Sequence, residues 1–183
     1  MIAAPHFDEY RSTPGFGLRG PDESRIGGQD EIEDLSADIN VISLEEAFSN
    51  QAGHAVGEPD DEGEPADVWL DGTSPNKFLW LVRSDDVKIV LEDGALRRAG
   101  GGMPKHTNLA SGAAHCGGEL WFRDSSSVYI NGGSGRFPPR CAVELDAIVA
   151  AFRKAGYGVC SFGWNSNMLA ANRVIVVKDI QWL

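Results

Sequence analysis

The residues best suited to chemistry in this chain fall between Lys105 and Arg140. His106 belongs to the one side-chain type that ordinarily titrates near neutral pH, and it stands beside Lys105, Thr107 and Asn108, whose polar atoms can orient an imidazole. Glu119 opens the run Leu120-Trp121-Phe122. Strands deplete Glu, and a carboxyl beside an apolar wall tends to hold its proton more tightly, as a general acid or base requires. Farther along, Tyr129-Ile130-Asn131 runs into Gly132-Gly133-Ser134-Gly135-Arg136, ahead of a predicted helix. Successive N–H groups in such a turn make a concavity for anions, and arginines offer forked donors to the same charge. The expected assignment is therefore His106 and Glu119 as catalytic residues. Lys105, Asn108, Trp121, Gly133, Ser134, Gly135, Arg136 and Arg140 are the expected ligand-binding residues, with Trp121 or Tyr129 stacking on a base.

Each of these residues also has an ordinary structural reading. Gly132 to Arg136 fits neither G-x-x-x-x-G-K-[ST] nor G-x-G-x-x-G, so a tight glycine turn explains it equally well. His106 reads also as a hydrogen-bonded structural histidine, and Glu119 as an exposed edge residue. His115, Cys116 and Glu119 lie close in sequence, but there is no C-x-x-C pair and the other cysteines are distant, so no metal site is expected. Cys116 as a nucleophile has nothing else beside it that marks a Cys–His pair.

Positioning such a site requires a folded domain, and the charge distribution suggests where it lies. The chain has 183 residues, a net charge of −11 and 42% apolar residues, enough for one core. Residues 1–66 hold 16 acidic side chains against three arginines, a net of −13, whereas residues 67–183 hold 11 acidic and 13 basic, a net of +2. Residues 97–140 alone carry six basic and two acidic side chains. The expected organisation is a largely irregular, acidic, Gly/Pro-rich segment over 1–66 and a single domain over 67–183. Within the segment, Ser43 and Glu46 form a capping box that predicts a short helix near 43–49. Anionic small molecules or nucleotides remain possible ligands of the domain. Bulk nucleic acid is not expected, because the acidic segment repels it.

The domain reads as α+β, with a mostly antiparallel sheet, one long helix at about 141–155 and no alternating βαβ units. Phe78 to Val82 and Val87 to Leu91 are strand-like runs joined by the turn Ser84-Asp85-Asp86. Gly118 to Arg123 and Val128 to Asn131 flank the polar tetrad Asp124 to Ser127, predicting a second hairpin. An even register there puts Glu119, Trp121 and Ile130 on one face, and Leu120, Phe122, Tyr129 and Asn131 on the other. Leu145, Ile148, Val149 and Phe152 follow helical spacing, with Arg153 and Lys154 in the last turn and Gly156 past it. Val159 to Trp164 and Val174 to Val177 complete the strands. No apolar run is long enough to span a membrane. Three cysteines and no leader-like N-terminus make the cytoplasm the expected compartment.

The order His106-Thr107-Asn108-Leu109, Gly118-Glu119-Leu120 and Ser134-Gly135-Arg136-Phe137-Pro138-Pro139 resembles an uncharacterised module with the motifs H-[ST]-x-L, G-E-[LI] and S-G-[HR]-[YF]-x-P. Similar strings occur in uncharacterised bacterial proteins, in C-terminal modules of polymorphic toxins and in plant IQ-motif proteins. The likeness covers about residues 78–165. Arg136-Phe137 stands where many members have His-Tyr, so a hydroxyl is lacking at 137 and an anion-binding role for Arg136 gains weight. The toxin context implies a small toxin- or effector-type enzyme acting on a nucleotide-like anionic ligand, with NAD as a candidate group donor. The alternative is a non-enzymatic binding module, such as an immunity, inhibitor or anti-defence protein, that blocks a basic partner through residues 1–66. A purely structural role for the motifs is the third reading.

Overall fold

A computed structural model describes residues 5–23, 42–43, 77–92, 104–110, 112–122 and 127–161. Its architecture is α+β. Helix α1 (Asp8–Ser12) follows a 3-10 turn at Pro5–Phe7; strands β1 (Ile42–Ser43), β2 (Phe78–Val82) and β3 (Val87–Leu91) precede the single-turn helix α2 (His106–Leu109); β4 (Cys116–Phe122), β5 (Ser127–Asn131), helix α3 (Ala142–Lys154) and β6 (Gly158–Ser161) follow. The strands form one sheet in the order β1-β3-β2-β4-β5-β6, antiparallel except for β5 with β6.

Local sequence explains most of these elements. Arg83 to Asp86 closes the β2–β3 hairpin: Arg83 N–H donates to Asp86 O at 2.9 Å, and its guanidinium grips the Asp86 carboxylate at 2.5 Å on both oxygens. This fork offsets the burial that would push the Asp86 carboxyl up and holds it below its ordinary value. Helix α3 lies within the expected span and ends where Arg153 and Lys154 face the carbonyl end of its dipole, with Gly156 beyond at a φ of 93°. One parallel connection was not anticipated. β5, α3 and β6 make a βαβ unit, because a helix is long enough to carry the chain back to the same end of the sheet.

The β4–β5 register also differs from the expected one by a residue. Glu119 pairs with Asn131, Leu120 with Ile130, Trp121 with Tyr129 and Phe122 with Val128. Glu119, Trp121, Tyr129 and Asn131 therefore share one face, and Leu120, Phe122, Val128 and Ile130 share the other. Burial decides between the registers: the observed one places four apolar side chains against α3, whereas the expected one would put Asn131 there.

The α3 face holds the larger core. Trp80, Val82, Ile89, Leu120, Phe122 and Ile130 pack under Ile148, Val149 and Phe152, joined by Phe7 and Tyr10 from the N-terminus. The Phe7 ring meets Phe152 edge to face at a centroid distance of 5.3 Å. On the opposite face a smaller cluster joins Leu79, Leu81 and Val90 to Leu109, Ala114 and Phe137.

The N-terminal residues are thus part of the domain, and the expected division at residue 66 does not hold for residues 5–23. Arg19 bridges Ala114, and Asp22 N–H donates to Arg136 O at 2.9 Å. Two aromatic rings account for this: Phe7 and Tyr10 are apolar enough to be drawn into the core despite the acidic residues around them. Ile42 and Ser43, the latter expected to start a helix over 43–49, add an edge strand to β3. Residues 44–49, the acidic linker and the strand expected at 174–177 lie outside the described residues. No disulfide joins Cys116, Cys141 and Cys160. Among the described residues no helix is long and apolar enough to cross a membrane.

Candidate functional site

Glu119 sits mid-strand on β4, facing away from α3. Its carboxylate is held on both oxygens: Lys77 Nζ donates to Oε1 at 3.0 Å and Asn131 Nδ2 donates to Oε2 at 2.9 Å. Lys77 also meets Glu92 Oε2 at 2.5 Å. Burial pulls the Lys77 ammonium down, but the two carboxylates outweigh it and raise it above its ordinary value. The Asn131 amide has one possible orientation, since its Oδ1 accepts from the backbone N–H groups of Gly133 at 2.7 Å and of Glu119 at 3.1 Å. That leaves the NH₂ end for Glu119.

The glycine turn lies directly on this carboxylate. A Cβ at Gly133 would come within 2.8 Å of both Asn131 Oδ1 and Glu119 Oε2, so a larger residue there would displace one or both of these side-chain ends. The turn's amides are largely used within the fold: Gly133 N–H by Asn131, Ser134 N–H by Gly132 O at 2.9 Å, and Phe137 N–H by the buried Ser134 Oγ at 2.9 Å. The expected concavity of free amides at Gly133 and Ser134 is therefore absent, because a side-chain carbonyl and a backbone carbonyl fill the role foreseen for an anion.

His106 stands next to Glu119 through the strand's backbone. Its Nε2 lies 2.9 Å from Gly118 O, so Nε2 carries the proton and donates. Gly117 makes room for the ring, since a Cβ there would meet His106 Cδ2 at 2.7 Å. Burial lowers the imidazole to about 4; the Gly118 carbonyl and the Glu119 charge oppose this, while Arg136 and Lys105 add to it. His106 is consequently neutral at neutral pH, which corrects the expectation of a group poised to exchange protons there. Its chemistry is that of a fixed hydrogen-bond donor.

The other expected residues divide into two sets. Lys105, half-buried, precedes α2, and Arg136, half-buried, follows the turn on Glu119; both charges act on His106. Gly135 lies between Ser134 and Arg136, also half-buried. Asn108 is committed locally, its Oδ1 accepting the Lys105 backbone N–H at 2.7 Å. Trp121 and Tyr129 share the Glu119 face but are 2% and 0% exposed. They are packed side chains rather than a stacking platform. Arg140 is committed to other partners. Its guanidinium and backbone N–H both donate to the fully buried Glu144 in the first turn of α3, and Tyr10 Oη donates to Glu144 Oε1 at 2.9 Å. Tyr10 also lies 3.0 Å from Cys116 Sγ, which alternation puts on the other face of the sheet from Glu119. Burial pushes the Tyr10 hydroxyl and the Cys116 thiol well up, so neither is an activated nucleophile.

Lys77, Glu92 and Asn131 were not among the expected site residues. Lys77 and Glu92 bracket the hairpin of β2 and β3, where Glu92 N–H donates to Lys77 O at 2.8 Å. Opposite charges at the two open ends of one hairpin are the signal that pairs them. Asn131, a residue strands deplete, closes β5 directly before the glycines. Among the described residues no three His, Cys, Asp or Glu side chains are grouped to hold a metal ion. The acidic residues between 24 and 66 lie outside the described residues, and with them most of the surface over residues 1–66 expected to meet a basic partner. Comparison with protein-family models, with curated proteins and with solved structures returns no match for this chain.

Proposed function

We propose that the chain is a small enzyme, of the toxin or effector type that its motifs resemble, acting on a nucleotide-like anionic ligand at the Glu119 face of the sheet. The observation that carries this reading is Glu119 itself. Its carboxylate is held on both oxygens by Lys77 and Asn131, on a strand otherwise given to packing, and its side chain remains 21% exposed. A carboxylate that merely filled a surface position would not need a buried amide and an ammonium to fix it; one that must meet a reacting atom does.

Both contacts are with donors, so Glu119 acts as an acceptor: it takes a proton from an attacking group or stabilises positive charge that develops on the substrate. His106 keeps the adjacent Gly118 peptide in place. Lys105 and Arg136 supply the charge for a phosphate, by side chains rather than by turn amides. NAD fits this site only in part. The described residues offer positive charge for its phosphates but, with Trp121 and Tyr129 buried, no aromatic face for its rings.

The test is incubation of the purified protein with a panel of nucleotides, dinucleotides and nucleotide sugars, with products separated by chromatography. Turnover of one of them, reduced about a hundredfold or more in Glu119→Gln while the thermal midpoint is kept, is the expected result. Equal turnover by Glu119→Gln removes Glu119 from the reaction, and absence of turnover across the panel overturns the enzymatic reading.

A further inference from the structure

Residues 5–23 run as a strap past the end of the sheet where β2 stops and β4 begins. Among the described residues the strap's backbone meets the rest of the domain at the Arg19–Ala114 bridge, with N–H to O distances of 2.9 and 3.0 Å, and at Arg136 O, which accepts from Asp22 N–H. It adds no strand to the sheet, and β2 is paired on both sides without it. Side chains make further links: Arg11 Nε donates to Arg83 O at 2.9 Å, Arg19 to Pro138 O, and Arg140 to Gly17 O. Phe7 and Tyr10 are its buried anchors.

What Tyr10 covers is polar. Its hydroxyl lies 3.0 Å from Cys116 Sγ and 2.9 Å from Glu144 Oε1. The hydroxyl has one proton and gives it to the carboxylate, so the thiol donates to the hydroxyl oxygen. The Tyr10 ring stacks on Phe16 at a centroid distance of 5.9 Å and meets the His115 ring edge to face at 5.7 Å. Lifting the strap would bring Cys116 and Glu144 to water, and Glu144 would keep Arg140 as its partner. Exposing polar groups costs less than parting the apolar layer between α3 and the sheet, so this seam is the weaker of the two.

His115 spans the seam. Its backbone N–H donates to Val82 O at 2.9 Å, which ties it to the sheet, while Nδ1 donates to Phe16 O of the strap at 2.7 Å. The neutral ring therefore takes a second proton at Nε2, and becomes a cation in a place only 4% exposed. Facing it are Arg11 of α1, with Arg140 and Glu144 at the start of α3, and the uncharged Tyr10 ring. Burial, then Arg11 and Arg140, hold the imidazole below its ordinary 6.5, against the Phe16 carbonyl and the Glu144 charge. Once the strap is lifted these constraints go. Opening then takes up a proton below pH 6.5, so acid favours the open form.

We propose that residues 5–23 are a releasable cover and that His115 is its acid-sensitive latch: protonation of the imidazole frees the strap as a unit, the sheet and α3 stay folded, and Cys116 and Glu144 come to the surface. Glu119, on the opposite face of the sheet, takes no part.

Cys160 of β6 serves as an internal reference, since both thiols are 0% exposed and release of the strap uncovers only Cys116. The wild-type chain is treated with dithiodipyridine, a disulfide that thiols attack in mild acid as well as at neutral pH, and the labelled peptides are followed by mass spectrometry. At about pH 7, Cys116 should react about tenfold or more faster than Cys160. Its protection is the ratio of its rate in the urea-unfolded chain to its rate in the native chain at the same pH. That ratio should fall about threefold or more between about pH 7.5 and about pH 5.5, and stay level in His115→Gln. Should His115→Gln melt early, His115→Asn serves instead. Cys116 reacting no faster than Cys160 ties its exposure to unfolding of the whole domain and overturns the strap. Protection that does not fall in acid, or that falls equally in the His115 variant, overturns the latch.

Discussion

Asn131 and Glu119 are joined twice: the Asn131 amide donates to the Glu119 carboxylate at 2.9 Å, and its carbonyl accepts the Glu119 backbone N–H at 3.1 Å. The two residues face one another across β4 and β5, and a third bond from Gly133 N–H at 2.7 Å attaches the glycine turn to the pair. One buried side chain thus fixes a carboxylate, a strand end and a loop. Truncating it in Asn131→Ala strands two backbone donors and an acceptor away from water. A loss of about 2–4 kcal/mol is expected from urea denaturation. A loss below about 0.5 kcal/mol would mean that the three bonds contribute little to this arrangement.

Glu144 predicts the behaviour of Arg140. The carboxylate is 0% exposed and takes its charge partner from Arg140. Removing that partner leaves a buried, uncompensated anion, so Arg140→Ala should destabilise the domain by about 3 kcal/mol. An Arg140 serving chiefly as a ligand contact would instead change binding and leave the urea midpoint in place. The same measurement separates the two roles.

The buried imidazole of His106 makes stability depend on pH. Its folded value of about 4 lies below the ordinary 6.5, so between these values the unfolded chain binds a proton that the folded chain does not. Stability therefore rises with pH through this window, falls as pH drops from 6.5 towards 4, and is independent of His106 above it; the span is up to about 3 kcal/mol. His115, also lowered by burial, acts in the same direction, so the informative quantity is a difference. His106→Gln, which keeps a donor for Gly118 O, should show a flatter profile than wild type in urea titrations between pH 4.5 and 7. Parallel profiles would place the pH sensitivity elsewhere.

Phe7 tests whether the N-terminal residues belong to the domain. It is 1% exposed and packs on Phe152. Phe7→Ala should cost about 3–4 kcal/mol, a loss typical of a large ring leaving a core. An appendage outside the domain would tolerate the change with no shift in thermal midpoint.

Local pattern was enough for much of the fold. The runs at 78–82 and 87–91, the Ser84-Asp85-Asp86 turn, the helix ending in Arg153 and Lys154, and Gly156 beyond it all follow from short-range periodicity and turn chemistry. Glu119 and His106 stood out for a similar reason: their types are unusual beside apolar strands and small-residue loops.

Pairing was legible only in three dimensions. Side chains on a strand alternate, so a slip of one residue between β4 and β5 moves Asn131 from Glu119's face to the opposite one. Choosing between the two registers depends on what α3 buries, which no short window of sequence contains. Arg140 reads equally well as a ligand for an anion or as the partner of Glu144, and the packing of Tyr10 against the start of α3 decided it. Trp121 lost its place as a stacking surface by the same logic, because burial belongs to the assembled sheet. The sequence by itself determined which residues could do chemistry and which short segments would be regular. The tertiary structure decided which of those residues meet, since contacts between distant segments arise from the whole core being packed at once.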